Sequence, residues 1–360
     1  MQSLNFLHRT CGIASFAPRV GLASMSSGSK KSLPPSSSYD GVVCDMDGVL
    51  WRGQEVISRS IDALNVLKLR GKSIVFVTNN SSKTRLAIAK RLMDLGYDAE
   101  ASDIITSSSV AADYLHEQLH VNKSASDGGS VNKGPVKVFM IGNPALQEEL
   151  EKKCFQVLSV PHDAPAILDE EEMTQLQGTM DHEVKAVVVG VDYSFNYRKL
   201  SIGGLYLQNR QRLYVATNPD NANRISSGGM HPETGSLISA LEALTGVKPT
   251  ICGKPSRIVV DQVLNYLQAK DPHRLLVVGD RLDTDIAFAN NAKFSSCLVL
   301  SGVTSEDEVQ YQISHPLDEC RTPEFLAWDL WDMISPVSAE HMKMLEEKRI
   351  VNSMLSKSLK

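Results

Sequence analysis

The fold is decided by the stretch Val42–Val49, VVCDMDGV, in which an apolar run ends in two carboxylates and a glycine turn. The apolar part predicts a buried strand, and the chain curls at its end, so Asp45 and Asp47 can both face a small anionic ligand beyond the sheet edge. Two carboxylates this close repel each other. A divalent cation keeps both ionised, and oxygen ligands together with a phosphate group favour Mg²⁺. Taken alone, the motif also fits an ordinary solvated turn.

A second strand end has a different chemistry. The stretch Ser73–Ser81, SIVFVTNNS, predicts an apolar strand that ends in the hydroxyl of Thr78 and the amides of Asn79 and Asn80. A helical pattern follows directly. The free N–H groups and the dipole at the start of a helix favour an anion, so this segment is suited to hold a phosphate.

Two more segments complete the set. The stretch Cys252–Ser256, CGKPS, places Lys254 between a glycine and a proline that can open a helix. The stretch Leu275–Asp285, LLVVGDRLDTD, is a third apolar strand, and it again ends in acids. The acids at this point also fit the start of a helix, where the macrodipole favours negative charge.

These four segments, in this order, resemble the motifs of the haloacid dehalogenase superfamily of phosphatases. The sequence motifs VTNNSSK, GKPS and GDRLDTDI are most similar to those of the branch that contains phosphoglycolate phosphatase, pyridoxal phosphatase and the para-nitrophenylphosphatases. The resemblance covers about residues 40–335. It implies an α/β fold, with a Rossmann-like parallel-sheet core and an α/β cap domain of the C2 type inserted between the threonine and lysine motifs.

The resemblance also implies a role for each site residue. Asp45 is expected to attack phosphorus and form an aspartyl phosphate, while Asp47 acts first as general acid and then as base. The expected ligands of Mg²⁺ are Asp45, the backbone carbonyl of Asp47, and Asp280, with Asp285 acting through a neighbouring ligand or a water. The residues expected to bind the phosphoryl group are Thr78, Asn79, Asn80 and Lys254. Taken singly, Thr78 also fits a helix cap and Lys254 a surface residue.

Strand-like and helix-like patterns alternate from Tyr39 onward, as is typical of an α/β fold. The polar stretch 122–130 interrupts the series, and a second alternating series follows it. The distant Thr78 and Lys254 are both needed at one phosphate, so the chain between them must leave the core and return. We therefore predict a core domain at 40–120 and 250–336, a cap domain at 121–249, and a tail helix at 337–360.

Composition limits the partners. With 42% apolar and 22% charged residues the chain is typical of a soluble globular protein, and a net charge of −5 argues against nucleic acid. No apolar run reaches the roughly 18 residues that span a bilayer. Six cysteines without a CxxC pair make a zinc site improbable. We expect a small phosphorylated metabolite as ligand, with no nucleic acid and no membrane partner; a homodimer through the cap would fit the family.

The first 39 residues contain no Asp or Glu but several Arg, Lys and Ser residues. This composition is typical of an organellar transit peptide and predicts a chloroplast or a mitochondrion. A disordered tail is the alternative, and initiation at Met25 would leave a cytoplasmic form.

The expected specificity segment is Thr217–Ser236, whose length and glycines suit a loop over the active site. Arg224 or His231 are candidates to bind a substrate carboxylate. The tripeptide here is Met-His-Pro, not the Trp-His-Pro associated with the pyridoxal-phosphate branch, so the resemblance favours 2-phosphoglycolate. Two alternatives stay open: a phosphatase with broad, sugar-phosphate or pyridoxal-phosphate specificity, and a non-catalytic sensor of a phosphate ligand.

Overall fold

The computed structural model describes residues 33–120, 134–161, 163–166, 169–224, 229–315 and 319–347. Residues 1–32 of the predicted targeting extension lie outside these ranges. The start of the predicted cap domain and the end of the predicted tail helix lie outside them as well.

The strands follow one another along the chain as β1 (Gly41–Cys44), β2 (Trp51–Arg52), β3 (Glu55–Val56), β4 (Ser73–Thr78), β5 (Ile104–Thr106), β6 (Lys137–Ile141), β7 (Gln156–Leu158), β8 (Ala186–Val189), β9 (Leu213–Ala216), β10 (Ala222–Arg224), β11 (Met230–Pro232), β12 (Thr250–Ile251), β13 (Leu275–Gly279), β14 (Ser295–Val299) and β15 (Phe325–Ala327).

The α-helices are α1 (Ser60–Leu69), α2 (Arg85–Asp94), α3 (Ser107–His120), α4 (Pro144–Lys152), α5 (Glu170–Gly178), α6 (Tyr197–Leu207), α7 (Thr234–Thr245), α8 (Ile258–Leu267), α9 (Ala287–Ala292), α10 (Glu306–Ser314) and α11 (Leu330–Met333). Residues 339–347 are also helical. Several helices begin at a side chain that accepts a backbone N–H, as Thr84 does for α2 and Asn143 for α4.

Two parallel sheets organise these elements. The core sheet has the order β15-β14-β13-β1-β4-β5, and the cap sheet has the order β12-β9-β8-β6-β7. Helices on the sheet faces connect the parallel strands. The predicted α/β fold with a second α/β unit inserted into the first is confirmed. Two short antiparallel hairpins, β2–β3 and β10–β11, stand apart from these sheets.

The central strands are apolar throughout because both faces of the core sheet are covered. Val42 and Cys44 of β1 point into one hydrophobic cluster, with α1 and α2, whereas Val43 points into a second one, with α3 and α8. Because successive side chains of a strand point to opposite faces of the sheet, the two clusters lie on opposite faces of the core sheet. A third cluster covers the outer face of the cap sheet, between that sheet and helices α6 and α7.

The end of the cap differs slightly from the predicted boundary at residue 249. Thr250 and Ile251 form β12 and pair with Val215 and Ala216 of β9, so the cap sheet extends to residue 251. A strand of two residues carries too little hydrophobic pattern to be recognised in the sequence.

The described part of the predicted tail helix packs on the core domain. Leu345 is buried in the same hydrophobic cluster as Val42, and Val337 lies against that cluster. Within the described ranges, no helix has the length and apolar character that a membrane crossing requires.

The second cluster joins the two domains. It contains Val43 and Val75 of the core sheet together with Val138 and Val188 of the cap sheet, and it includes the fully buried Leu146 of α4. Burial of these side chains against one another stabilises the docking of the cap on the core.

Leu146→Ala should therefore destabilise the protein, because it removes buried methyl groups and leaves a cavity at the centre of this cluster. We expect the free energy of unfolding to fall by about 2–5 kcal/mol, measured by urea denaturation. The matched control is Leu86→Ala on α2, whose side chain is 66% exposed, with an expected change within about 0.5 kcal/mol. Equal effects of the two variants would contradict a shared cluster.

Candidate active site

Three adjacent strands of the core sheet, β4, β1 and β13, end at the same edge with polar side chains. Asp45 follows β1, Thr78 is the last residue of β4, and Asp280 follows β13. In a parallel sheet the carboxyl ends of neighbouring strands lie side by side, which is why residues so distant in sequence meet here.

A buried lysine lies at the centre of this edge. The Nζ atom of Lys254 donates to Asp45 Oδ1 and to Asp285 Oδ1, both at 2.6 Å, and to the carbonyl of Val77 at 2.8 Å. Carboxylate oxygens of Asp45, Asp280 and Asp285 all lie within 4.8 Å of one another. The site is therefore a compact acidic cluster with a single ammonium against it, among the described residues.

Burial and mutual repulsion shift the pKa values of the acids in this cluster. Burial raises the pKa of Asp45 well above its usual value, even though Lys254 opposes the shift. Burial, followed by repulsion from Asp285, raises the pKa of Asp280 to about 7. Burial lowers the pKa of Lys254, but the carboxylates of Asp285 and Asp45 outweigh it, so the pKa is raised.

The predicted phosphate segment forms a tight loop after β4. The backbone N–H of Asn80 donates to Thr78 Oγ1 at 3.0 Å, and the Asn79 side-chain amide donates to the carbonyl of Lys254 at 3.0 Å. The carbonyl of Asn79 accepts from Ser107 at 2.7 Å and from the cap residue Asn218 at 2.8 Å. Hydrogen bonds thus tie this loop to both the lysine motif and the cap.

Asp47 lies beside the cluster and is held by two N–H donors. Its Oδ1 accepts from the indole Nε1 of Trp51 at 3.0 Å, and its Oδ2 is 3.4 Å from the side-chain nitrogen of Asn80. The predicted contact between its backbone carbonyl and a metal stays a prediction. Its side chain contributes to the cavity wall instead of joining the cluster of three acids.

Two glycines make room for the Asp280 carboxylate. A Cβ on Gly48 or on Gly302 would overlap with that carboxylate, and Gly48 also has a positive φ of 87°. Side chains at both positions would therefore displace the acid. The Oδ2 atom of Asp280 accepts from the backbone N–H of Val303 at 2.6 Å, which fixes its orientation.

These residues line one cavity of about 540 Å³. The structure thereby brings together all of the predicted site residues, namely Asp45, Asp47, Thr78, Asn79, Asn80, Lys254, Asp280 and Asp285. Asp285 accepts a hydrogen bond from Lys254 directly, and its indirect role at a metal stays a prediction.

The cap contributes a wall that the sequence analysis did not resolve. Asp220, Asn223, His231 and Glu233 line the cavity from the cap side. Burial raises the pKa of Glu233 to about 7, with His231 opposing the shift, and burial also raises the pKa of Asp220. Both acids lie in the segment predicted as a specificity loop, for which the sequence indicates only Arg224 and His231 as candidates.

The loop itself is a short hairpin. Strands β10 and β11 pair antiparallel, with Asn223 opposite His231 and Arg224 opposite Met230. His231 lines the cavity, as its proposed role requires. The side chain of Arg224 and residues 225–228 lie outside the described part of the chain, so the Arg224 prediction is not tested.

The residues of this cavity fit a divalent cation. Among the described lining residues, six carboxyl groups face three Lys or Arg side chains, so the cavity has an excess of negative charge when the acids are ionised. Hard divalent cations prefer oxygen ligands, and the carboxylate oxygens of Asp45, Asp280 and Asp285 lie close enough together to offer them.

Comparison with known proteins gives a consistent result. Residues 42–156 match a family model for haloacid dehalogenase-like hydrolases, and residues 251–332 match a second, HAD-hydrolase-like model. Chloroplastic phosphoglycolate phosphatase 1A of Arabidopsis thaliana is 34% identical over 303 residues, covering 84% of this chain and 78% of that protein.

Two further relatives act on a different ester, according to their names. Glycerol-3-phosphate phosphatase of Gallus gallus is 35% identical over 300 residues, covering 82% of this chain and 89% of that protein. A glycerol phosphate phosphatase from Mycobacterium tuberculosis, solved in complex with magnesium, superposes with a TM-score of 0.65 at 26% identity. The match covers 83% of this chain and 77% of that one.

Asp280→Asn should change both the stability and the metal response of the protein. At pH 8, above the raised pKa of Asp280 of about 7, the buried carboxylate is ionised and opposes folding, so its neutralisation should raise the thermal midpoint without metal. Added Mg²⁺ should raise the midpoint of the wild type, because a ligand that binds only the folded state stabilises it. The rise should be much smaller in the variant.

The control for this experiment is Asp283→Asn in the same motif. Its carboxylate is half exposed and pairs with Arg281 at 2.9 Å, outside the acidic cluster. Differential scanning fluorimetry over a Mg²⁺ series measures both effects. An unchanged Mg²⁺ response in Asp280→Asn would contradict the assigned metal site.

Proposed function

Because the chain belongs to the haloacid dehalogenase-like hydrolase family, we propose that it is a Mg²⁺-dependent phosphatase that hydrolyses small phosphate monoesters, with 2-phosphoglycolate as the substrate. The observation that carries the proposal is the cluster of Asp45, Asp280 and Asp285 around Lys254, in a cavity that Asp47 also lines. It supplies a nucleophile, a proton donor and a cation site within one pocket.

The reaction proposed for this geometry has two steps. A carboxylate oxygen of Asp45 forms a bond to phosphorus while the ester P–O bond breaks, and the departing oxygen takes a proton from Asp47. Asp47, now a carboxylate, then accepts a proton from the water that attacks phosphorus, which releases phosphate and restores Asp45. Transfer through an enzyme carboxylate divides one slow hydrolysis into two faster steps.

The other residues hold the phosphoryl group. Thr78 and the loop around Asn80 face the cavity at the end of β4, and the ammonium of Lys254 offsets charge beside Asp45. Bound Mg²⁺ supplies further positive charge against the phosphate dianion. Asp45, Asp280 and the backbone carbonyl of Asp47 are its proposed protein ligands, and the solved relative with magnesium supports this choice of metal.

Three observations favour 2-phosphoglycolate as the substrate. The plant relatives carry the name phosphoglycolate phosphatase, and His231 lies on the cap side of the cavity, where a substrate carboxylate would need a donor. The Met-His-Pro tripeptide at 230–232, in place of Trp-His-Pro, also supports 2-phosphoglycolate over pyridoxal phosphate.

A polyol phosphate such as glycerol 3-phosphate is the second candidate. Asp220 and Glu233 on the cap wall can accept hydrogen bonds from substrate hydroxyls, and they would repel a substrate carboxylate when ionised. The relatives named glycerol-3-phosphate phosphatase support this alternative. A pure phosphate sensor is disfavoured, because binding alone does not require a proton donor at Asp47.

We also propose import into a chloroplast, with a mitochondrion as the alternative. The acid-free first 39 residues motivate the proposal, and two plant relatives carry the word chloroplastic in their names. The homodimer through the cap stays a prediction.

Asp45→Asn should abolish turnover, because an amide cannot form the acyl phosphate. We expect phosphate release to fall by at least about a thousandfold, or roughly 4 kcal/mol in activation free energy. Chelation of Mg²⁺ by EDTA should also stop the wild-type enzyme, and Asp283→Asn serves as the control that keeps activity. Substantial turnover by Asp45→Asn would rule out Asp45 as the nucleophile.

A panel of phosphate esters tests the substrate. We expect 2-phosphoglycolate to exceed pyridoxal phosphate in kcat/KM by at least about tenfold, or roughly 1.4 kcal/mol. Glycerol 3-phosphate, a sugar phosphate and p-nitrophenyl phosphate complete the panel. Equal rates for all esters would favour broad specificity, and a clear preference for glycerol 3-phosphate would establish the second candidate instead.

A further inference from the structure

The residue that holds Asp47 is not part of the cavity. Among the described residues, Asp47 lines the cavity and Trp51 does not. The side chain of Trp51 is nevertheless directed at the acid: its indole N–H donates to Asp47 Oδ1 at 3.0 Å, and the residue is only 3% exposed. An indole has one donor and no acceptor, so this hydrogen bond can form only with an oxygen atom.

The backbone fixes Trp51 at the correct distance from the acid. Trp51 begins the hairpin β2–β3, directly after the turn that contains Gly48. The carbonyl of Trp51 accepts from the N–H of Gly48 at 2.7 Å, and its own N–H donates to Met46 at 3.3 Å. These two backbone hydrogen bonds hold Trp51 next to the turn, so that its indole lies against Asp47.

A cation also holds the ring of Trp51. The guanidinium of Arg91 on α2 lies 4.0 Å from the ring centre, and it donates to the carbonyl of Gly53 in the same hairpin at 2.7 Å. A cation over an indole face is attracted by the negative face of the ring. Arg91 thus limits the rotation of the indole, so that its N–H stays on Asp47.

We propose that Trp51 is a positioning residue that orients the carboxyl group of Asp47 toward the leaving-group oxygen. The proposal rests on the proposed function, in which Asp47 is the proton donor. The indole N–H donates to Oδ1 of Asp47 at 3.0 Å, whereas the contact of Asn80 with Oδ2 is longer, at 3.4 Å. We therefore place the proton to be transferred on Oδ2. That proton moves to the ester oxygen as its bond to phosphorus breaks and the bond from Asp45 forms.

Two substrates with different leaving groups test the proposal in Trp51→Phe. An alkyl phosphate needs a proton on its leaving oxygen, whereas p-nitrophenolate departs without one. We expect kcat/KM for the best alkyl ester of the panel to fall by about tenfold or more, while kcat/KM for p-nitrophenyl phosphate changes by less than about twofold. The ratio of the two values is independent of how much of the variant is folded.

The matched control is Trp331→Phe. Trp331 also stacks with a guanidinium, that of Arg59 at 3.4 Å, but it does not line the cavity, and its removal should leave the ratio unchanged. Equal losses for both esters in Trp51→Phe, or no loss at all, would overturn the proposal. If Trp51→Phe yields no soluble enzyme, Arg91→Gln should shift the same ratio in the same direction, and an unchanged ratio would again overturn it.

Asp47→Asn, assayed with the same two esters, separates this inference from the proposed function. The comparison uses kcat/KM, which reports the steps through release of the leaving group and not the later attack of water. Equal losses of kcat/KM for both esters in Asp47→Asn would mean that Asp47 is not the proton donor, and the proposed mechanism would fail. A selective loss for the alkyl ester in Asp47→Asn, without a change of the ratio in Trp51→Phe, would refute only the role of Trp51.

Discussion

The structure depends on one buried ammonium group. Lys254 lies among Asp45, Asp285 and the carbonyl of Val77, with each contact between 2.6 and 2.8 Å. A buried charge is strongly unfavourable unless it is paired and hydrogen-bonded, so these three partners must be present together for the core to close around the lysine. The lysine therefore connects the ends of β1 and β4 with the helical segment Leu282–Ile286 after β13, and it holds Asp45 and Asp285 close together.

The same constraint reaches the cap through the backbone beside Lys254. The N–H of Gly253 donates to the carbonyl of Thr217 at 2.6 Å, and the next residue, Asn218, donates to the carbonyl of Asn79 at 2.8 Å. The loop proposed to hold the phosphate is thus bonded to the cap as well as to the core. The position of the cap and the shape of that loop are consequently linked.

Much of this arrangement could be predicted from the sequence, because it follows from strand ends. Apolar runs of four or five residues followed by Asp45, Thr78 and Asp280 predict adjacent parallel strands, and such strands end at one edge. The contact between Trp51 and Asp47 could not be predicted, since it depends on how a tight turn and a two-residue strand fold back. Glu233 was missed for a related reason: only the docked cap shows which of its polar residues face the cavity.

The hairpin β10–β11 is set apart from the hydrophobic clusters. Ala222, Asn223 and residues 230–232 belong to none of the three clusters found among the described residues, yet Ala222, Asn223 and His231 line the cavity. Amino-acid replacements at these positions change the wall of the cavity without removing side chains from the hydrophobic clusters. A cavity wall that is separate from the core in this way allows one reaction centre to be combined with different substrate-facing surfaces.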